Sequence, residues 1–315
     1  MSTIRLQQLT KRFGETTALD GLDLTVEEGE IFGFLGPNGA GKTTTIGILL
    51  GFVHPTSGSA EIFGLDVEDH GTSIRQRTGV LPEGYTVYER LTGRQHMQYV
   101  RRSKGIDANI DRVLDRVGLE DAGDRKAGEY SKGMCQRLLL GMALLGDPDL
   151  LILDEPSTGL DPQGVRDVRE IIRQEAAEGT TVFFSSHILS QVEPICDRVG
   201  ILKDGRLAAV DTIDGLREQS INSHMYVQRT GMTDGAAQAV RKLDGVTDVT
   251  AVEDRTKITL TTEADVEDIR ETLESAGVDS TEYEMREASL EDIFLSYVED
   301  EQPRSPGGMQ GGETR

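Results

Sequence analysis

Gly36-Pro37-Asn38-Gly39-Ala40-Gly41-Lys42-Thr43 follows the apolar run Ile31-Phe32-Gly33-Phe34-Leu35. This is the G-x-x-x-x-G-K-[ST] spacing of a phosphate-binding loop, in the strand-to-helix setting that the motif needs. Its glycines let the backbone curl so that successive N–H groups converge on an anion. A helix starting near Lys42 adds the positive end of its dipole. The Lys42 ammonium is then placed to bridge the β- and γ-phosphates of a nucleotide. The Thr43 hydroxyl takes a Mg²⁺ position, with Thr44 beside it in the nucleotide-binding set. A second chemical pair closes another apolar run, Leu150-Leu151-Ile152-Leu153, with Asp154 and Glu155. Asp154 fits the acid that holds Mg²⁺, directly or through water. Glu155 lies past the strand end, where a carboxylate can orient and deprotonate an attacking water.

A third stretch, Tyr130 to Arg137, reads as another helix start. Ser131 is an N-cap with a hydroxyl to offer, and Gly133 leaves the backbone bare for an anion. Leu138, Met142 and Leu145 stand behind them on one helix face. Two phosphate-seeking helix ends far apart in one chain make sense if two chains pair head to tail.

The elements that must hold these residues divide the chain into zones. Residues 1–215 alternate short β-rich runs with helical patterns, as an α/β layer fold requires, with a helix-rich insert over about 84–145. Residues 220–299 read as strand 224–229, helix 233–243, strand 247–252, strand 256–262, helix 264–276 and strand 278–286. That β-α-β-β-α-β order is a small α+β ferredoxin-like unit. A last helix begins at Ser289, with Asp292 as its capping-box acid, and Leu290, Ile293, Phe294 and Tyr297 share one face. Such a face is expected to dock on its own domain. The tail 301–315 has a disordered composition.

The 315 residues carry a net charge of −22, which would repel duplex nucleic acid and anionic lipid, so no nucleic-acid partner is expected. Arginine outnumbers lysine and acids are spread along the chain, a composition that suits a salty cytoplasm. No stretch approaches the roughly 20 apolar residues of a membrane helix, and Met1 to Leu9 holds no secretory signal. A cytoplasmic chain is expected. Two cysteines, Cys135 and Cys196, cannot build a disulfide framework.

The segment Tyr-Ser-Lys-Gly-Met at 130–134 closely resembles the signature of ABC-type ATPases, in the variant that stands for Leu-Ser-Gly-Gly-Gln. Other resemblances follow in family order. Ser157-Thr158-Gly159-Leu160-Asp161 stands where such ATPases carry the D-loop, which makes Asp161 part of the nucleotide-binding set. His187, after Thr181 to Ser186, stands at the switch histidine that contacts the γ-phosphate. Phe13, before Gly14, matches the aromatic that stacks on adenine. Glu83 in Val80-Leu81-Pro82-Glu83 occupies the Q-loop, where many members carry Gln, and its carboxylate can ligate Mg²⁺ or position water. The chain departs from the pattern again at Met134 and Cys135. Cys135, near a helix N-terminus, reads either as a thiol of lowered pKa or as inert.

The resemblance implies a P-loop NTPase domain with a helical signature subdomain, ATPase activity with Mg²⁺, and pairing with a like subunit, as a homodimer or otherwise. It also implies a separate membrane permease that holds the chain at the cytoplasmic face. The insert and Q-loop would receive the permease's coupling helices, for which Tyr85, Tyr88 and Leu91 are candidates, with packing inside the insert as the alternative. Leu-Pro-Glu, Tyr-Ser-Lys-Gly-Met and Ser289 to Phe294 resemble the ATPases of ABC-2-type exporters of drugs, sodium or polysaccharide. The ATPase that helps mature the copper site of nitrous-oxide reductase shares them. The alternative is a non-transport ABC protein acting on nucleic acid or ribosomes, whose coiled-coil arms, zinc cysteines or duplicated domains this sequence lacks.

Overall fold

The computed structural model describes residues 1–219, 223–228, 232–252, 254–261, 264–278 and 282–299. The chain opens with β1 (Ser2–Phe13), β2 (Thr16–Glu27), β3 (Ile31–Leu35), α1 (Lys42–Leu49), β4 (Ser57–Ile62) and β5 (Leu65–Asp66). It continues through α2 (Gly71–Arg77), β6 (Thr78–Leu81), α3 (Gly93–Lys104), α4 (Ile110–Arg116) and α5 (Lys132–Leu144). Then come β7 (Leu150–Asp154), α6 (Pro162–Ala177), β8 (Thr181–Ser186), α7 (Leu189–Val192), β9 (Arg198–Lys203), β10 (Arg206–Thr212) and α8 (Ile213–Gln219). The central sheet runs β10-β9-β3-β8-β7-β6, parallel except for the β9/β10 hairpin, and an antiparallel sheet β2-β1-β4-β5 lies beside it.

β3, β7 and β8 are buried along their whole length because both faces of the central sheet are covered, which continuous apolar runs require. The pleat sorts them. Phe32, Phe34, Leu150, Ile152 and Phe183 join one core with β1, β2, β4 and α1. Ile31, Leu35, Leu151, Leu153, Val182 and Phe184 join the other, with α3 to α6. Arg116 on α4 pairs with Glu175 on α6, a carboxylate that is itself buried, which ties the helical insert to the ATPase core. Among the described residues no helix is long and apolar enough to cross a membrane.

The rest of the chain forms β11 (Ser223–Gln228), α9 (Asp234–Val240), β12 (Val246–Val252), β13 (Arg255–Leu260), α10 (Val266–Ser275), β14 (Tyr283–Glu287) and α11 (Leu290–Glu299). Its antiparallel sheet is ordered β12-β13-β11-β14, and α9 and α10 cover one face around Met225, Val227, Ile258, Ile269 and Leu273. The expected last strand begins later than its pattern: residues 279–281 of it lie outside the described residues, as does the 301–315 tail.

The expectation for α11 is corrected. Ser289 and Asp292 form the anticipated reciprocal cap, the Asp292 N–H donating to Ser289 Oγ at 3.2 Å and the Ser289 N–H to the Asp292 carboxylate at 3.0 Å. Leu290, Ile293 and Phe294, however, bury themselves in the ATPase core beside α7, α8 and β9, not in the ferredoxin-like unit. α11 reaches that unit by its polar side, where Asp292 accepts from Lys257 and lies 3.1 Å from His224 Nε2. The face finds the larger apolar surface on offer, because α9 and α10 already close the small sheet's own core.

Burial would push the Asp292 carboxyl up, but the Lys257 ammonium and the Ser289 hydroxyl outweigh it and hold the group at about 2, below its ordinary 3.8. A depressed carboxyl stabilises above its unfolded value and loses that contribution as the pH falls through its folded value. The contact between α11 and the small unit should therefore loosen between about pH 4 and pH 2. Asp292→Ala should lower stability by about 1–3 kcal/mol at neutral pH, read by urea unfolding, with amide-exchange protection lost over residues 290–298. Full protection there in the variant would show that the apolar face alone holds α11.

Candidate active site

The loop after β3 is shaped by close approach. Gly41 has φ +113, and a Cβ there would lie 2.7 Å from the Ala18 carbonyl oxygen and from Leu19 Cδ2, so only glycine fits. α1 follows directly, its first residue the buried Lys42. The Lys42 ammonium donates to the Gly36 carbonyl at 2.6 Å and reaches the Pro37 carbonyl at 3.4 Å. Burial lowers its pKa, opposed by the nearby Glu155, Asp154 and Glu83 carboxylates.

β7 delivers Asp154 and Glu155 to the same end of the sheet. Asp154 accepts from the Ser185 hydroxyl on β8, and burial raises its carboxyl, as does the Glu155 charge, with Ser185 and Lys42 pulling the other way. Glu155 is 8% exposed and has φ +50, a left-handed conformation that a residue bearing a Cβ adopts at a cost of about 1–3 kcal/mol. Its N–H donates to the Ser185 carbonyl at 3.2 Å. One carboxylate oxygen lies 2.8 Å from His187 Nδ1 and the other accepts from the Thr158 hydroxyl at 3.3 Å. The strained turn thus aims a carboxylate, held at both oxygens, off the strand end.

A cavity of about 390 Å³ is lined by Ala18, Pro37, Asn38, Gly39, Gly41, Lys42, Thr43, Thr44, Glu83, Asp154, Glu155 and His187. Residues from five separate stretches meet there. Gly36 and Ala40 of the phosphate loop turn to the core instead: a Cβ on Gly36 would lie 2.6 Å from the Leu202 carbonyl oxygen, and Ala40 is buried. Phe13, Ser131, Gly133 and Asp161 lie outside the cavity lining. Phe13 is 51% exposed at the end of β1 with the Lys11 ammonium 4.8 Å above its ring. Ser131 caps α5 by accepting from the Met134 N–H at 3.2 Å, and Asp161 caps α6 by accepting from the Gly164 N–H at 2.7 Å.

Comparison with known proteins decides the family. The profile of the ABC transporter family matches residues 19–158, and that of the C-terminal domain of DrrA1-3-like ATP-binding proteins matches 212–298. The bacitracin transport ATP-binding protein BcrA of Bacillus licheniformis is 44% identical over 70% of this chain and 73% of its own. The daunorubicin resistance ATP-binding protein DrrA2 of Streptomyces coeruleorubidus is 36% identical over 93% of this chain and 94% of its own. A Nod factor export ATP-binding protein of Burkholderia lata is 38% identical over 70% and 74%. Among solved structures, an ATP-binding subunit of an ABC transporter superposes with a TM-score of 0.63 at 31% identity, over 69% of this chain and 92% of that one. The chain belongs to the ATP-binding subunits of ABC transporters.

As an ABC ATPase it binds ATP and hydrolyses it, and its second unit is of the DrrA type. The lowered-pKa option at Cys135 is corrected: burial, and then the Glu89 charge, raises its pKa. Tyr85, Tyr88 and Leu91 divide. Tyr85 lines an apolar groove with Phe52, Leu81, Pro82, Val100 and Met142, whereas Tyr88 stacks on His96 and Leu91 is half-buried. Four roles escaped the sequence reading: those of Ala18 and Ser185 at the site, of Thr158 within the Glu155 loop and of Gln136 against it. Ser185 stood inside the quoted run Thr181 to Ser186, where a hydroxyl at the end of an otherwise apolar strand was the one signal.

Proposed function

We propose that two copies of this ABC ATPase, or one with a like subunit, close head to tail over two ATP molecules to drive export through a membrane permease. The observation that supports the chemistry is the convergence of Lys42, Thr43, Glu83, Asp154, Glu155 and His187 on one cavity. Thr43, Asp154 and Glu83 offer only oxygen donors, which is the set Mg²⁺ takes. The bound ion would supply charge neutralisation along the β- and γ-phosphates.

In this reading Lys42 leaves the Gly36 carbonyl for the phosphates, exchanging one buried acceptor for a charged one. Glu155 takes a proton from the water that attacks the γ-phosphate in line, its aim held by Thr158. The His187 proton that faces Glu155 sits on Nδ1; contact with a phosphate oxygen needs a proton on Nε2. Nucleotide entry therefore exchanges the His187–Glu155 bond for a His187–phosphate bond and frees one Glu155 oxygen for water. Ser131 and Gly133 of one subunit meet the γ-phosphate held by the other, with Asp161 at the seam, and exposed Phe13 is available for adenine.

The permease would seat a coupling helix in the groove around Phe52 and Tyr85, which holds the chain at the cytoplasmic face of the membrane. Support for export comes from relatives named for bacitracin transport, daunorubicin resistance and Nod factor export. The test is purification of the tagged chain from native membranes with ATP, with Phe52→Asp as control. A multi-helix membrane protein should copurify with the parent and be lost in the variant, whose own ATPase rate stays within about twofold since position 52 is 75% exposed and outside the cavity lining. Recovery of soluble or ribosomal partners alone would move the chain to the non-transport class.

A further inference from the structure

The loop that carries Glu155 is tied to the signature helix by contacts that the mechanism above leaves unused. From Glu155 the chain makes two tight turns, Thr158 N–H donating to the Glu155 carbonyl at 3.2 Å and Leu160 N–H to the Ser157 carbonyl at 3.3 Å. Its start is fixed by Ser185 and its end by the Asp161 cap on α6. Its middle is gripped from α5. Gln136 Nε2 donates to the Pro156 carbonyl at 2.6 Å, next to the general base. One helical turn earlier, Lys132 lies across Gly159 so closely that a Cβ there would stand 2.0 Å from its Nζ and 3.2 Å from its Cε. Positions 132 and 136 are i and i+4, so they present one face of α5 to one loop.

The placement of Lys132 runs against local helix energetics. A cation at the first position after the cap is repelled by the positive helix end. Lys132 is exposed, and among the described residues it forms no ion pair, in a chain with 55 acidic residues. Gly159, at φ +70, combines a left-handed turn with the absence of a side chain at the one point where the lysine crosses.

We infer that Lys132 and Gln136 are positioning residues: a strut that sets the Glu155 loop in register with the signature helix of the same chain. The inference rests on the paired-chain reading. A nucleotide held by the partner engages the start of α5; any shift of that helix passes through the Gln136–Pro156 hydrogen bond and the Lys132–Gly159 contact to the loop. Thr158, in the same loop, holds one Glu155 oxygen. Each subunit's general base is thereby aimed only when the other subunit's nucleotide is in place, so the two sites hydrolyse cooperatively.

The test compares the full chain with Gln136→Glu, which keeps size but turns a donor toward the Pro156 carbonyl into an acceptor, and Lys132→Met, which keeps the stem and removes the charge. Both should lower kcat about 10- to 100-fold, the cost of a misplaced group. ATP KM and Tm should stay near the parent's, and the Hill coefficient for ATP should fall towards 1. Combined with Glu155→Gln, each variant should still form the ATP-dependent dimer seen by light scattering. Parent kcat and Hill coefficient in both variants would overturn the strut. So would a kcat loss that tracks a fall in Tm, which is the mark of a merely structural contact. Failure of Glu155→Gln alone to dimerise with ATP would instead overturn the pairing on which the strut rests.

Discussion

Glu155→Gln should bind ATP with parental affinity, lose about 10²- to 10⁴-fold in turnover and accumulate as a closed dimer. The range is that expected for removal of a general base. The amide oxygen can still accept from Thr158, so the strained turn and the cavity survive the change; what is lost is the proton acceptor. With Ser185 holding both the Glu155 backbone and Asp154, the neighbouring carboxylate keeps its place. Light scattering with ATP should report twice the monomer mass, and single-turnover kinetics should show no γ-phosphate release. Parental turnover would remove Glu155 from the chemistry and leave its left-handed backbone without a functional reason.

Lys42→Ala should instead fail at binding. The ammonium is buried between three carboxylates and two loop carbonyls, so the site already bears the cost of desolvating it. Removing it deletes a charged hydrogen bond to phosphate, worth about 1.5–3 kcal/mol, or roughly ten- to a hundredfold in Kd. It also leaves Asp154, Glu155 and Glu83 to repel the incoming phosphates. Titration with a fluorescent ATP analogue would read the loss, and unchanged affinity would overturn the phosphate-loop assignment.

These two variants probe the part of the molecule that was most legible in its sequence. The phosphate loop and the acid pair are contiguous segments whose geometry follows from local rules, a glycine turn before a helix and a buried strand ending in acids. The four strands of the second unit were legible for the same reason, since alternation along β11 and β13 needs no knowledge of distant partners. What escaped was contact between segments far apart in the chain. Gln136 and Pro156 are 20 residues apart and Ser185 and Asp154 are 31 apart, and no period or motif links them. The face of α11 was readable, but its destination was a competition between two apolar surfaces that only the assembled fold decides. The Glu155 backbone was equally hidden, because nothing in Leu-Asp-Glu-Pro demands a positive φ.

The docking of α11 has a bearing on how the protein comes into being. Leu189, Val192, Ile195, Ile213 and Leu216 belong to the ATPase core, yet their cover is supplied by residues 290–298. During synthesis the catalytic portion leaves the ribosome with this apolar surface wet, and it stays so until the second unit has been made and the last helix can swing back. The ATPase core is therefore closed only once α11 has been made, after the whole of the second unit.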